Sequence, residues 1–204
     1  KGGLIYFKTS GSTAELKASS LKWGLADEVD EWDWTTPQGD PLVLFEIRFA
    51  AFHNSKLFIV SSPTIKDASK IEEQFEAGDQ RSCYLPCPHC DERQTLKWSN
   101  LRWTANAHRV TRAWYVCEHC GCEIEEYNKS AMLASHRWVA ANPGAMYRSY
   151  RINGLYTPIG LGRSWLQLAQ EWIAAQGDPR KLVVFVNTRL AETWADRSHD
   201  LKPN

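Results

Sequence analysis

Two Cys-x-x-Cys pairs, Cys87-Pro88-His89-Cys90 and Cys117-Glu118-His119-Cys120, constrain this chain more tightly than any other feature. Two thiolates from each pair make four ligands at one point, the closed tetrahedral set of a structural zinc site with no position open for catalysis. The stretch between the pairs exceeds the ~15–20 residues typical of a ribbon, which a longer hairpin accommodates. Gly121 follows the second pair, where a knuckle turns through positive φ. His89 and His119, inside the pairs, are the alternative ligands, while Cys83 and Cys122 read as spare thiols. Disulfides are the competing use of 6 cysteines, but residues 1–20 show no secretory signal, and a reducing compartment favours metal over bridges.

Composition narrows the class. With 43% apolar residues and 10 Trp, the 204-residue chain can bury a core, so wholesale disorder is excluded. No run of ~18 apolar residues exists, which excludes a transmembrane helix. Lys+Arg 24 against Asp+Glu 24 leaves no net charge and argues against indiscriminate coating of nucleic acid. The chain opens at Lys1, without Met, on strand-like sequence, and is expected to be a piece of something longer.

Residues 3–9 read as a strand, followed by a polar loop through Ser10, Gly11, Ser12 and Thr13. Leu21 to Ala26 reads as a second strand running into the acidic cluster Asp27-Glu28-Val29-Asp30-Glu31. Asp40-Pro41 is an N-cap followed by a first-turn proline, and Leu42, Phe45, Phe49 and Phe52 predict a helix over 41–53. The apolar run within Lys56 to Ser61 predicts a central strand covered on both faces. Ser69 and Glu72 predict a capping box, and Ile71 and Phe75 give that helix its stripe before Gly78 ends it. Strands alternating with helices up to residue 80 predict a mostly parallel α/β sheet.

From Cys83 to Glu126 the pattern is β-type, and after Asn128 it turns helical. Ser164 and Gln167 form a second capping box, opening a helix that carries Leu168 and Trp172 and ends before Gly177. Asp178-Pro179 opens another, carrying Leu182, Phe185 and Val186, and Asp196 to Asn204 read as a frayed end or a linker. Between Arg81 and Arg112 stand Arg81, Arg93, Lys97, Arg102, Arg109 and Arg112 against only Asp91 and Glu92, interleaved with Trp98 and Trp103 and followed by Trp114. Such a hairpin can track a phosphate backbone. Equally, the tryptophans can fill the ribbon's small core while the charges are solvated.

The strand ending in Asp27-Glu28 has the form of a Walker B segment. An Asp at the carboxyl end of a buried strand can hold Mg²⁺ beside nucleotide phosphates, and the following Glu can deprotonate the attacking water. A solvated turn is the bland alternative, and Asp30, Glu31 and Asp33 read that way. Ser61-Ser62-Pro63-Thr64 lies at the carboxyl end of the next strand, where an open α/β sheet places its ligand crevice. Its hydroxyls can sense a γ-phosphate or merely cap the following helix.

Taken in order, Asp27 to Glu31, Ser61-Ser62-Pro63-Thr64-Ile65-Lys66, Gly78-Asp79-Gln80-Arg81 and the Cys87 knuckle resemble the large terminase subunits of lambda-like tailed phages. Asn153-Gly154-Leu155-Tyr156 and Phe185-Val186-Asn187-Thr188 fit the same family. Its members are DNA-packaging motors with an N-terminal ATPase and a C-terminal metal-dependent nuclease. The resemblance implies Asp27 as the Mg²⁺ residue, Glu28 as catalytic base, and Ser61, Ser62, Pro63 and Thr64 as the segment coupling ATP hydrolysis to DNA movement. It further implies double-stranded DNA, a small terminase subunit and a portal protein as partners, a homo-oligomeric ring, no membrane, and work in the host bacterial cytoplasm at the procapsid portal.

No G-x-x-x-x-G-K-[ST] occurs in the chain, so the phosphate-cradling loop is expected before Lys1 and the nuclease after Asn204. The fold expected is thus α/β: a partial P-loop ATPase with a mostly parallel sheet, an inserted β zinc ribbon and a helical C-terminal segment. The corresponding boundaries are 1–81 for the ATPase half, 82–127 for the ribbon and 128–204 for the helical segment. Alone, this chain is expected not to hydrolyse ATP, because positioning comes from the loop it lacks. The competing function is a non-enzymatic zinc-ribbon adaptor binding nucleic acid or protein.

Overall fold

A computed structural model describes residues 3–12, 17 and 19–195, in two units, Lys1–Ser62 and Pro63–Asn204. Thr13 of the polar loop and the expected tail, 196–204, lie outside the described residues.

In the first unit, strands β1 (Trp23–Asp27) and β2 (Lys56–Val60) pair in parallel, with Asp27 opposite Val60. Helix α1 (Pro41–Glu46) begins where expected, because the Asp40 carboxylate accepts the Leu42 and Val43 N–H groups. It tightens into a 3₁₀ turn at Ile47–Phe49 instead of continuing to residue 53. Such tightening is common at helix C-termini, where the last carbonyls lack α-helical partners. Phe45 and Phe49 pack on the Gly24 face of the strands, and a Cβ at Gly24 would lie 2.2 Å from the Phe49 ring. Only a glycine fits that approach.

Two expectations fail in this unit for one physical reason. The β2 strand is not covered on both faces: Phe58 and Val60 are 57% and 50% exposed, as are Trp23 and Leu25 beside them on β1. Residues 3–9 form no strand, and Phe7 is 95% exposed. A strand is stabilised by neighbours far away in sequence. Among the described residues of this unit, one helical layer supplies them on one face only.

In the second unit, β3 (Arg81–Pro86) is the hub. It pairs antiparallel with β4 (Arg93–Gln94) and β8 (Arg137–Ala140), and parallel with β9 (Tyr150–Arg151). A separate antiparallel sheet runs β5 (Leu101–Asn106), β6 (Arg109–Val116), β7 (Glu123–Ile124). Strands β8 and β9 thus interrupt a stretch that sequence alone reads as helical. The mostly parallel sheet expected of a P-loop core is represented by the β1–β2 pair, and the architecture is mixed α/β with antiparallel sheets.

Four helices complete this unit. In α2 (Lys70–Ala77) Ser69 accepts the Glu72 N–H, but the Glu72 carboxylate takes Thr193 Oγ1 at 3.1 Å and Arg151 at 3.5 Å, so the reciprocal half of the expected capping box is spent on tertiary contacts. Helix α3 is Lys129–Ala134. Helix α4 (Trp165–Ala175) carries the full capping box of Ser164 and Gln167, and α5 (Pro179–Arg189) is capped by Asp178.

One core runs from the cysteine-bearing strands into α4, through Leu85, Tyr115, Ile124, Leu155, Trp165 and Leu168. Tyr156 Oη donates to the Cys83 carbonyl and accepts the Leu96 N–H, both at 2.7 Å. Lys129, fully buried, is compensated by Glu126 at 2.6 Å, and the same carboxylate accepts the Trp165 N–H at the start of α4.

Candidate active site and metal centre

The two knuckles converge. Cys87, Cys90, Cys117 and Cys120 place their sulfurs within 4.8 Å of one another, with Cys87–Cys120 and Cys90–Cys117 both at 3.9 Å. A tetrahedron with arms of ~2.3 Å, the zinc–sulfur distance, has edges of ~3.8 Å. Four thiolates at that spacing can hold a metal such as zinc, with every ligand position filled by protein.

Each knuckle is built by local backbone chemistry. The Cys87 Sγ accepts the His89 N–H and the Cys117 Sγ accepts the His119 N–H, both at 3.4 Å. Gly121 turns at φ +70°, as its place after the second pair requires, and Asp91 takes the matching left-handed position in the first. Burial pushes the Cys87 thiol up, whereas the Cys122 N–H and the neighbouring thiols pull Cys120 down to about 6. Both histidines face away from the metal position: His89 Nε2 lies 3.0 Å from the Glu123 carbonyl and His119 Nε2 3.3 Å from that of Arg93. Cys83 is buried in the core and Cys122 exposed, both outside the cluster.

The basic hairpin is largely neutralised from within. Arg112 pairs with Glu123 at 2.6 Å and with Glu125, Lys97 with Glu118 at 2.7 Å, and Arg81 with Asp79 at 2.7 Å. Those carboxylates all lie outside the stretch 81–112 in which the charge excess was counted. Trp98 packs 5.7 Å from Trp103, 5.5 Å from Trp172 and 5.1 Å from Phe185, which is core filling, while Trp114 lies under the Arg112 guanidinium at 4.3 Å.

The acidic strand end has its own geometry. Asp27 and Glu28 are exposed at the carboxyl end of β1, and Asp27 Oδ1 accepts the Glu28 N–H at 3.1 Å. Ser61, just past the end of β2, brings its Oγ within 3.5 Å of Glu28 Oε2 and accepts the Asp30 N–H at 3.2 Å. Parallel pairing thus carries two predicted site residues to a third, since both strand ends fall on the same side. Ser62 closes the first unit, and Pro63 and Thr64 open the second. There the Thr64 carbonyl accepts Asn187 Nδ2 and the Trp194 N–H, both at 2.8 Å.

Sequence reasoning missed the residues that brace the acidic turn. Trp32 Nε1 donates to the Asp27 carbonyl at 2.9 Å and Trp34 Nε1 to that of Val29 at 3.0 Å. The only signal in the sequence is the Trp-Asp-Trp spacing directly after the acidic cluster.

A parallel strand pair ending in adjacent carboxylates, followed by a four-thiolate metal centre, defines an α/β protein with the parts of a nucleotide hydrolase. Comparison with known families sharpens that class. A family model described as the phage terminase large subunit gpA, ATPase domain, matches residues 1–138, and that of the terminase large subunit gpA, endonuclease domain, matches 147–204. The chain belongs to the phage terminase large subunit gpA family. It is 30% identical over 185 residues to the terminase large subunit of Enterobacteria phage P21, covering 78% of this chain and 28% of that protein. To the terminase large subunit of Escherichia phage lambda it is 26% identical over 193 residues, covering 82% of this chain and 29% of that protein. The chain therefore spans less than a third of the length of these relatives. No solved structure matches it at a significant level. No helix among the described residues is long and apolar enough to cross a membrane.

Proposed function

We propose that this chain is part of the ATP-driven motor subunit that packages double-stranded viral DNA into the procapsid and cuts the concatemer, together with a small terminase subunit and the portal. The observation that carries this reading is the meeting of Asp27, Glu28 and Ser61 at one end of a parallel strand pair, inside the stretch matched by the ATPase-domain model. In this reading β1 and β2 are two strands of a P-loop sheet, 1–81 is the ATPase half, 82–127 a zinc ribbon, and 128–204 leads into the nuclease.

Each residue then has a distinct task. Asp27 keeps Oδ2 clear of the hydrogen bond its other oxygen makes to Glu28, which fits a water-mediated contact to Mg²⁺. Bound Mg²⁺·ATP would supply the scissile phosphoanhydride and the neutralisation of its charge. Glu28 accepts the proton of the attacking water at its carboxylate. Ser61 reads the state of that carboxylate through its hydroxyl, and Ser62, Pro63 and Thr64 carry the change onward along the chain. Zinc in the four-cysteine site is structural, since four thiolates leave no position for substrate.

The adaptor reading is disfavoured by the internal pairing of Arg112, Lys97 and Arg81, which leaves the hairpin little free charge for a phosphate backbone. The test is a nuclease-protection packaging assay with procapsids and the complete subunit. ATP-dependent protection of DNA that disappears with Asp27→Asn supports the motor. Protection unaffected by that variant refutes the site.

A further inference from the structure

Glu28 is held in a backbone conformation that glutamate does not choose. Its φ and ψ are 49° and 49°, the left-handed region that a non-glycine residue adopts only when its surroundings enforce it. No side chain caps the 3₁₀ turn at Val29–Glu31 that follows. The enforcement comes from two indoles. Trp32 Nε1 donates to the carbonyl before Glu28, that of Asp27, and Trp34 Nε1 to the carbonyl after it, that of Val29. Val29 is completely buried, which anchors the turn from below.

The indoles are themselves fixed. Their rings stack at 6.4 Å with 24° between planes, and Trp32 meets Phe45 edge-on at 6.5 Å. From the opposite side Ser61 Oγ accepts the Asp30 N–H and reaches toward the Glu28 carboxylate. The strained residue is therefore gripped at both flanking carbonyls and at the amide two positions on. An ordinary surface turn after a strand needs none of these three contacts.

We infer that Trp32 and Trp34 are positioning residues that lock Glu28 in its left-handed conformation and so aim its carboxylate at the attacking water. The inference rests on the reading of Glu28 as catalytic base. Neither tryptophan touches nucleotide in this account; both act through the backbone. Released from the indoles, Glu28 relaxes toward extended φ, and its carboxylate swings off the line of attack while Asp27 keeps its place at the end of β1. A base displaced by about 1 Å loses on the order of 10²-fold in rate.

The experiment is steady-state ATP hydrolysis by the complete subunit carrying Trp32→Phe, Trp34→Phe or both. Phenylalanine keeps an aromatic ring in place and removes only the N–H donor. The double variant is expected to lower kcat about 10-fold or more with KM for ATP within about 2-fold, because binding does not depend on the base. Unchanged kcat together with a lowered melting temperature overturns the inference and leaves the indoles as packing. Equal losses in kcat and in nucleotide affinity overturn it as well, since they report a collapsed site. Glu28→Gln, measured alongside, separates the two levels: if that variant still turns over, the base assignment fails, and if it is dead while the double variant is normal, only the positioning role fails.

Discussion

Removing the metal from the four-cysteine centre should unfold far more than the ribbon. Structural zinc contributes apparent free energies of about 10–16 kcal/mol in small finger peptides near neutral pH, which matches or exceeds the ~5–15 kcal/mol that a whole domain has in reserve. Cys87 and Cys117 are each 2% exposed and belong to the same core as Leu85, Tyr115, Trp165 and Leu168, with the Tyr115 and Trp165 rings 5.9 Å apart. The knuckles therefore cannot open without uncovering the face on which α4 rests. Chelation, or Cys117→Ser, should lower the melting temperature by more than about 10 °C, taking ~2–4 °C per kcal/mol for a chain of this size. Amide exchange should lose protection at Tyr115 and Val116 and equally at Leu168 and Ala169. Elemental analysis of the untreated protein should find about one zinc per chain, set by four thiolates for one ion. A zinc-free preparation with unchanged melting and protection would refute the metal site. Protection lost only within 82–126 would refute the shared core.

Tyr156→Phe should destabilise the second unit by about 1–3 kcal/mol in urea titration, because it strands the Cys83 carbonyl and the Leu96 N–H, both bonded to its hydroxyl at 2.7 Å. At Asp79 burial alone would push the carboxyl up, but the Ser149 N–H and the Arg81 guanidinium outweigh it and hold the group below its ordinary value. A depressed folded-state pKa stabilises above the ordinary carboxylate range and is lost as pH falls through and below it. The stability gap between wild type and Asp79→Asn should thus be present at neutral pH and shrink below about pH 4; a gap that does not change with pH contradicts the pairing. In the complete subunit, Ser61→Ala should uncouple hydrolysis from DNA movement more than Thr64→Ala, since Ser61 reaches Glu28 by its side chain whereas Thr64 is held through its carbonyl. Equal effects would contradict that division.

What was legible in the sequence is what local chemistry decides. The cysteine quartet follows from two short spacings, and the caps at Asp40, Ser164 and Asp178 follow from side chains bonding backbone N–H groups two or three residues on. The approach of Ser61 to Glu28 was within reach because parallel strands present their carboxyl ends together. What the sequence hid depends on distant neighbours. The apolar run of β2 reads as doubly covered, yet cover is a property of other layers, and the first unit has one. The hairpin reads as basic until Glu118, Glu123 and Glu125 return to it from the second knuckle. Trp32 and Trp34 leave no periodic trace, because an indole N–H reaching a carbonyl a few residues back obeys neither the helix nor the strand repeat.

The central claim is that Glu28 is the base of an ATP-hydrolysing motor, and phosphate release by the complete subunit tests it most directly. Glu28→Gln, measured with saturating Mg²⁺·ATP and DNA, should bind nucleotide as the wild type does and release phosphate at least about 10²-fold more slowly, the lower end of what general-base catalysis supplies. Near-normal phosphate release by that variant would contradict the account.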